Sequence, residues 1–170
     1  LLLLSSKYQA LIPSNGQAVT PANATVVVTS SLEMDVHAEP APIGRTLLMA
    51  TPAGAGYFGA TEMIASQYTD AQYVSAPATA HIPAYMAGHC RFMIASSVGE
   101  FVLFAPSAEP NSLIVHQYSW DGESKAQQAW HKWTFPYPLA AAYFVGEKVN
   151  LLFIQNGRCV VAVLDTTLVG

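Results

Sequence analysis

Charged side chains are scarce in this chain. Asp, Glu, Lys and Arg make up 11% of its 170 residues, against 52% hydrophobic ones, where an average globular domain carries about a quarter charged. A continuous apolar stretch of the roughly 18 to 20 residues needed by a membrane-spanning helix is absent too. The pairing predicts a water-soluble domain with a poorly charged surface, as expected where neighbouring subunits or further domains cover much of it. The seven Lys and Arg are spread singly between Lys7 and Arg158, and the formal charge is −4. No basic stripe exists to neutralise phosphates, which argues against a dedicated reader of DNA or RNA. It leaves open a wall past which DNA slides, where tight attraction would be a hindrance.

Cysteine is nearly missing as well. Cys90 and Cys159 are the only two; both sit among apolar neighbours and read as separate buried thiols, since a domain of this size builds its own core without a bridge. Helical periodicity is confined to a turn or two around "ATAHIPAYM", where Pro83 limits the length. The opening "LLLLSSKY" lacks the basic flank of a signal peptide. It reads as a strand whose upstream sequence lies outside the chain.

What the chain does have is a repeat. Apolar runs open at Leu1 ("LLLLSS"), Thr46 ("TLLMATP"), Arg91 ("RFMIASS") and Ala140 ("AAYFVG"), about 45 residues apart in the manner of repeat architectures. After each comes a short turn and a second strand-like stretch: "KYQALIP", "GYFGATEM", "EFVLFAP" and "KVNLLFIQ". Third stretches follow less evenly, as "TVVVTSS", "SLIVHQYSW" and "CVVAVLD". The joints "VGE", "SWDGES", "VGEK" and "QNGR" carry the Gly, Asp-Gly and Asn-Gly of tight hairpins. Units of three or four antiparallel strands at this period match β-propeller blades. Continuously apolar first strands fit sheets covered on both faces. A sandwich or irregular barrel also gives short, evenly spaced strands. The favoured expectation is an all-β partial propeller of four blade-like units, about 1–45, 46–90, 91–138 and 139–170, with the terminal units incomplete. Leu2, Leu48, Met93 and Tyr143 would then mark equivalent strands nearest a common axis, and the raw end units would pair with another copy or be mobile.

Candidate chemistry is thin. In "QQAWHKWTFP" strand alternation puts His131, Trp133 and Phe135 on one face and Trp130, Lys132 and Thr134 on the other. The two indoles then wedge against different neighbours and do not converge on one ligand, unless a bulge realigns them. Trp120, Trp130, Trp133, Phe135 and Tyr143 are the structural candidates. His37, His81, His89 and His116 show no zinc-type spacing, and in "GHC" the side chains of His89 and Cys90 diverge if extended, so no metal ligand set is assigned. Glu33 and Asp35 share a face of an assumed solvated strand, a weak version of the carboxylate pair of glycoside hydrolysis. Asp121 and Glu123 belong to a hairpin turn. "PAGAGYFG" opens a strand, not a helix, and so offers phosphate no helix N-terminus. No GxSxG, phosphate loop or Cys/His dyad is visible. The expectation is a protein without catalytic residues or cofactor.

Taken together, "LLLLSSKYQALIPSNGQ", "VVVTSSLEMDV", "PIGRTLLMATP", "HIPAYMAG", "QQAWHKWTF" and "VNLLFIQNGRCVVAVLD" resemble, in order and spacing almost end to end, the tail tubular protein B family, the nozzle proteins of short-tailed bacteriophages. The resemblance implies a structural component of the virion tail, made in the bacterial host cytoplasm. It also implies a propeller-like domain within a longer chain, and a hexameric ring below portal and adaptor through which genomic DNA exits. Other tail proteins and passing DNA would be its partners, without a membrane. The alternative from another class is a propeller that binds or cleaves carbohydrate at the host surface, supported by the Tyr and Trp content and by Glu33 with Asp35.

Overall fold

The computed structural model describes residues 1–13, 16–65, 73–96, 98, 100–121 and 124–166. They form four antiparallel sheets in series along the chain, with no helix among them. The first sheet holds β1 (Leu2–Leu4), β2 (Gln9–Leu11) and β3 (Val27–Ser30). The second runs β4 (Ala41–Ile43), β5 (Thr46–Gly54), β6 (Tyr57–Ala65) and β7 (Tyr73–Pro77), with β8 (Met86–Ala87) also paired to β6. The third is β9 (Cys90–Ser96), β10 (Phe101–Pro106), β11 (Ser112–Asp121) and β12 (Ser124–Thr134). The fourth is β13 (Leu139–Val145), β14 (Lys148–Gln155) and β15 (Arg158–Asp165).

Most connections within a sheet are short, although residues 12–26 separate β2 from β3. Asn156 and Gly157 both take positive φ, 49° and 72°, between β14 and β15, as a two-residue type I′ hairpin requires. Of the turns expected from sequence, Gly99, Gly122 and Glu123 lie outside the described residues. The segment around "ATAHIPAYM" contains successive turns, with Ile82 N–H donating to Thr79 O and Tyr85 N–H to Ile82 O.

Two cores flank the third sheet. Along β10, Val102 and Phe104 join a cluster with Ile43, Leu48, Phe58 and Met86 of the second sheet. The alternate residues Phe101, Leu103 and Ala105 join Leu139, Val149, Leu151 and Phe153 of the fourth. All six residues of β10 are buried, and this double coverage is why "FVLFAP" is apolar without alternation. Because the core is split in this way, one two-layer sandwich does not account for the chain. At the junctions β9 lies against both β4 and β13, the leading strands of the sheets on either side.

Three expectations need correction. The run at Thr46 is the second strand of its sheet, because the Gly44–Arg45 turn folds β4 back onto it; Leu48 therefore lies on a second strand. The first sheet is not covered on both faces: Leu3 of β1 and Val28 of β3 are 40% and 59% exposed, and its most buried residue is the polar Gln9. There the buried Gln9 side chain donates to Leu32 O and accepts from Ser30 Oγ and Leu32 N–H. Cys90 is buried but Cys159 is exposed, because it lies on β15, whose residues are all exposed among the described residues.

Candidate functional site

Strand β12 spans both junctions, and its pairing with β11 places the aromatic residues. His116 pairs with Trp130, Val115 with His131 and Leu113 with Trp133. Alternation then sends Trp130 toward the second sheet and Trp133 and Phe135 toward the fourth. The indole of Trp130 stacks on the His116 ring at 4.2 Å and 18°, and lies 5.7 Å from Phe104. Trp133 meets Phe101 at 6.3 Å and His131 at 5.9 Å, and Phe135 meets Phe153 at 5.2 Å, all in edge or tilted geometry.

The junction of the second and third sheets is aromatic and unusually polar. His116 is fully buried, and neither ring nitrogen has a hydrogen-bond partner. Burial, then the nearby Lys125 ammonium, pushes its pKa down to about 4, against a smaller opposing effect of the Gln128 side chain. The ring is therefore neutral at pH 7. The indole N–H groups of Trp120 and Trp130 are likewise without partners among protein atoms. Trp120 covers Gly44, whose φ is 59° and where a Cβ would fall 2.5 Å from the indole. Lys125 pairs with Glu62 across the two sheets and stands 6.0 Å over Tyr118 and 5.9 Å over Trp120. Such a cation held over aromatic faces contributes about 0.5 to 2 kcal/mol.

The junction of the third and fourth sheets is tied by one guanidinium. Arg91 donates from Nη1 to Leu139 O at 2.8 Å and from Nη2 to Pro110 O at 3.3 Å. At the opposite end of the two sheets opens a cleft of about 680 Å³ walled by Phe101, Gln117, His131, Trp133, Glu147 and Asp165 among others.

The remaining candidates do not gather. Tyr143 is 46% exposed on β13 and joins neither core. Among the described residues no three His, Cys, Asp or Glu side chains converge as a metal site. His89 is exposed while Cys90 is buried, so the two diverge. The assumption that Glu33 and Asp35 share a solvated strand is overturned. Residues 31–35 form an irregular connection in which Asp35 is 9% exposed. Its carboxylate accepts from Cys90 N–H at 2.8 Å, and from His37 N–H and Nδ1 at 3.1 and 2.8 Å. Asp35 thus fastens the connection between the first two sheets to the start of β9, while Glu33 is exposed.

Sequence reasoning missed His116, the Lys125–Glu62 pair and the fit of Trp120 on Gly44. Alternation along "SLIVHQYSW" could have flagged His116, which shares a face with Ile114 and Tyr118; the other two join positions 63 and 76 residues apart.

A family model described as bacteriophage nozzle protein matches residues 1–168. A search of curated proteins finds no match.

Proposed function

The chain belongs to the bacteriophage nozzle protein family and is a structural component of the phage tail, and from that premise we propose how it works there. Its four sheets act as blades of a partial β-propeller, built into a ring of copies of the same chain below the adaptor, and the ring encloses the path of the ejected genome. The role is mechanical, without catalysis. The meander order of each sheet and the contact of β9 with the leading strands β4 and β13 support the propeller reading. The low charge and net −4 suit a conduit, because a duplex repelled or ignored by the wall moves without sticking.

The observation that carries the assembly reading is β15. Every residue from Arg158 to Asp165 is exposed, including Val161 at 56% and Val163 at 60%, on the outer strand of the fourth sheet. A long apolar strand whose outer edge is unpaired among the described residues is a ready template for another chain. Replacing Val161 and Val163 by Asp should leave the melting temperature of the isolated chain within a degree or two and exclude it from assembled tails. Electron microscopy of intact tails provides the direct check. Density for this domain away from the nozzle, or tails that incorporate the double variant normally, would defeat the proposal.

The cleft beside Trp133 favours a second reading, in which a sugar ring stacks on the exposed part of that indole while Gln117, Glu147 and Asp165 meet its hydroxyls. Its volume lies within the range of about 300 to 1,000 Å³ typical of ligand pockets. A glycan array and a reducing-sugar assay decide it, and silence in both removes it.

A further inference from the structure

Two histidines that are 52 positions apart in sequence come together on the surface at the start of the third sheet. The rings of His37 and His89 lie 5.1 Å apart between centroids, tilted by 44°. His37 belongs to the connection between the first and second sheets and His89 to the turn between β8 and β9.

The His37 ring is held from behind, and His89 is held through its backbone. Asp35 Oδ1 accepts from His37 Nδ1 at 2.8 Å, and an acceptor-only carboxylate makes Nδ1 the protonated nitrogen, leaving the Nε2 lone pair free. Burial opposes the charge on Asp35, but the hydrogen bonds from His37 and Cys90 outweigh it and hold the carboxyl below its usual range. His89 donates its backbone N–H to Ser107 Oγ at 2.8 Å. The preceding Gly88 takes φ 86°, and a Cβ there would fall 2.2 Å from Ser107 Oγ and 2.8 Å from Ala108 N, so the turn has one close-packed path. The His37 side chain is 64% exposed and His89 is also exposed.

We propose that His37 and His89 form a two-histidine site for a borderline transition-metal dication of the Zn²⁺, Ni²⁺ or Cu²⁺ class, with Asp35 as the carboxylate that orients His37 and solvent filling the remaining positions. Two imidazoles on one ion, with metal–nitrogen bonds of about 2.0 to 2.1 Å and angles of about 90 to 110°, have centroids about 4.5 to 5.2 Å apart. The observed 5.1 Å falls inside that range. A carboxylate on the far nitrogen of a ligating histidine is the usual outer partner; it fixes the tautomer and raises the ligand's basicity. The nitrogen donors select late first-row metals over Mg²⁺ and Ca²⁺. With only two protein ligands the site is weak, and its effect is mechanical: an ion there staples the 35–37 connection to the turn feeding β9. Binding that favours the folded chain raises its stability with metal concentration.

Isothermal titration with ZnCl₂, NiCl₂ and MgCl₂ at pH 7.5, together with melting curves at each metal concentration, tests this. The intact chain should bind one Zn²⁺ or Ni²⁺ and no Mg²⁺, and its melting temperature should climb with Zn²⁺. His89→Gln leaves every Asp35 hydrogen bond in place, so its fold is preserved; it should lose at least tenfold in affinity and the metal-dependent rise in melting temperature. His37→Gln should do the same, and Asp35→Asn should weaken binding by about 10- to 100-fold. His81→Gln, on an exposed turn elsewhere, should bind as the parent does. Equal titration of the parent and His89→Gln, no heat with either metal at millimolar concentration, or loss in His81→Gln instead would each overturn the assignment.

Discussion

Acidification from pH 8 to pH 4 should destabilise this chain in a narrow window, and His116 should account for most of it. Its ring is fully buried, stacked on Trp130 at 4.2 Å, 5.7 Å from Tyr118, and faces the Lys125 ammonium that Glu62 anchors. Folding lowers its pKa from an ordinary 6.5 to about 4. Above pH 6.5 the imidazole is neutral in both states and its environment costs nothing through protonation. Between 6.5 and 4 the unfolded chain takes up a proton that the folded chain excludes, so stability falls as pH falls, by about 1.4 kcal/mol per pH unit. Below about 4 the folded form protonates too and the slope ends. The total loss is about 3 kcal/mol, a large share of the roughly 5 to 15 kcal/mol that holds a typical domain together. Asp35 acts in a different range, since its lowered pKa preserves stability until the pH falls below the ordinary carboxylate value. Urea denaturation at half-unit steps from pH 8 to 4 measures the curve. His116→Phe keeps an aromatic ring against Trp130 and removes two unpartnered nitrogens. It should flatten the slope between 6.5 and 4 and add about 1 to 3 kcal/mol at pH 8. A variant that keeps the full slope, or that loses stability at pH 8, would refute the picture of an unpartnered neutral ring.

Trp130→Ala and Trp133→Ala should each cost about 3 kcal/mol or more, the low end for a large aromatic because both rings are half-buried, whereas His131→Ala should cost under about 1 kcal/mol. Differential scanning fluorimetry gives the ranking; a Trp133→Ala protein that melts normally yet loses a partner or glycan would make that face a recognition site. Gly44→Ala combines a strained left-handed backbone with a clash on Trp120 and should destabilise by more than about 1 kcal/mol. The second change Trp120→Leu should recover part of that loss in the same melts. In a thiol titration with Ellman's reagent Cys159 should react at once. Cys90, whose thiol burial and Asp35 push up to about 12, should wait for denaturant.

Local chemistry made the sheets legible in sequence. The period of about 45 residues, the Asn156–Gly157 turn and the parity of Trp130 and Trp133 depend on neighbours one to a few positions apart. The β4–β5 hairpin escaped because Gly44–Arg45 has the form of a turn but the three-residue strand before it, containing Pro42, does not read as a strand. Asp35 and Cys159 were misjudged for a shared reason. Whether a residue is covered depends on which sheet lies beside it, and in this chain that is settled by packing between sheets, not by the pattern within one. The meeting of His37 with His89, and of Glu62 with Lys125, depends on the same packing.

The contiguity of each sheet also bears on how the chain reaches its fold. All strand pairings join segments within one stretch of sequence, so each meander can zip from its own hairpin without waiting for distant chain. During synthesis the second sheet can therefore form before the third emerges, and β10 and β11 then collapse onto a surface already laid down. The hazard falls at the end of this order. β15 is fully exposed among the described residues, and an exposed apolar strand is open to pairing with another strand edge. Under the ring assembly proposed above, the timing of subunit encounter, as much as its affinity, would decide between an ordered particle and an aggregate.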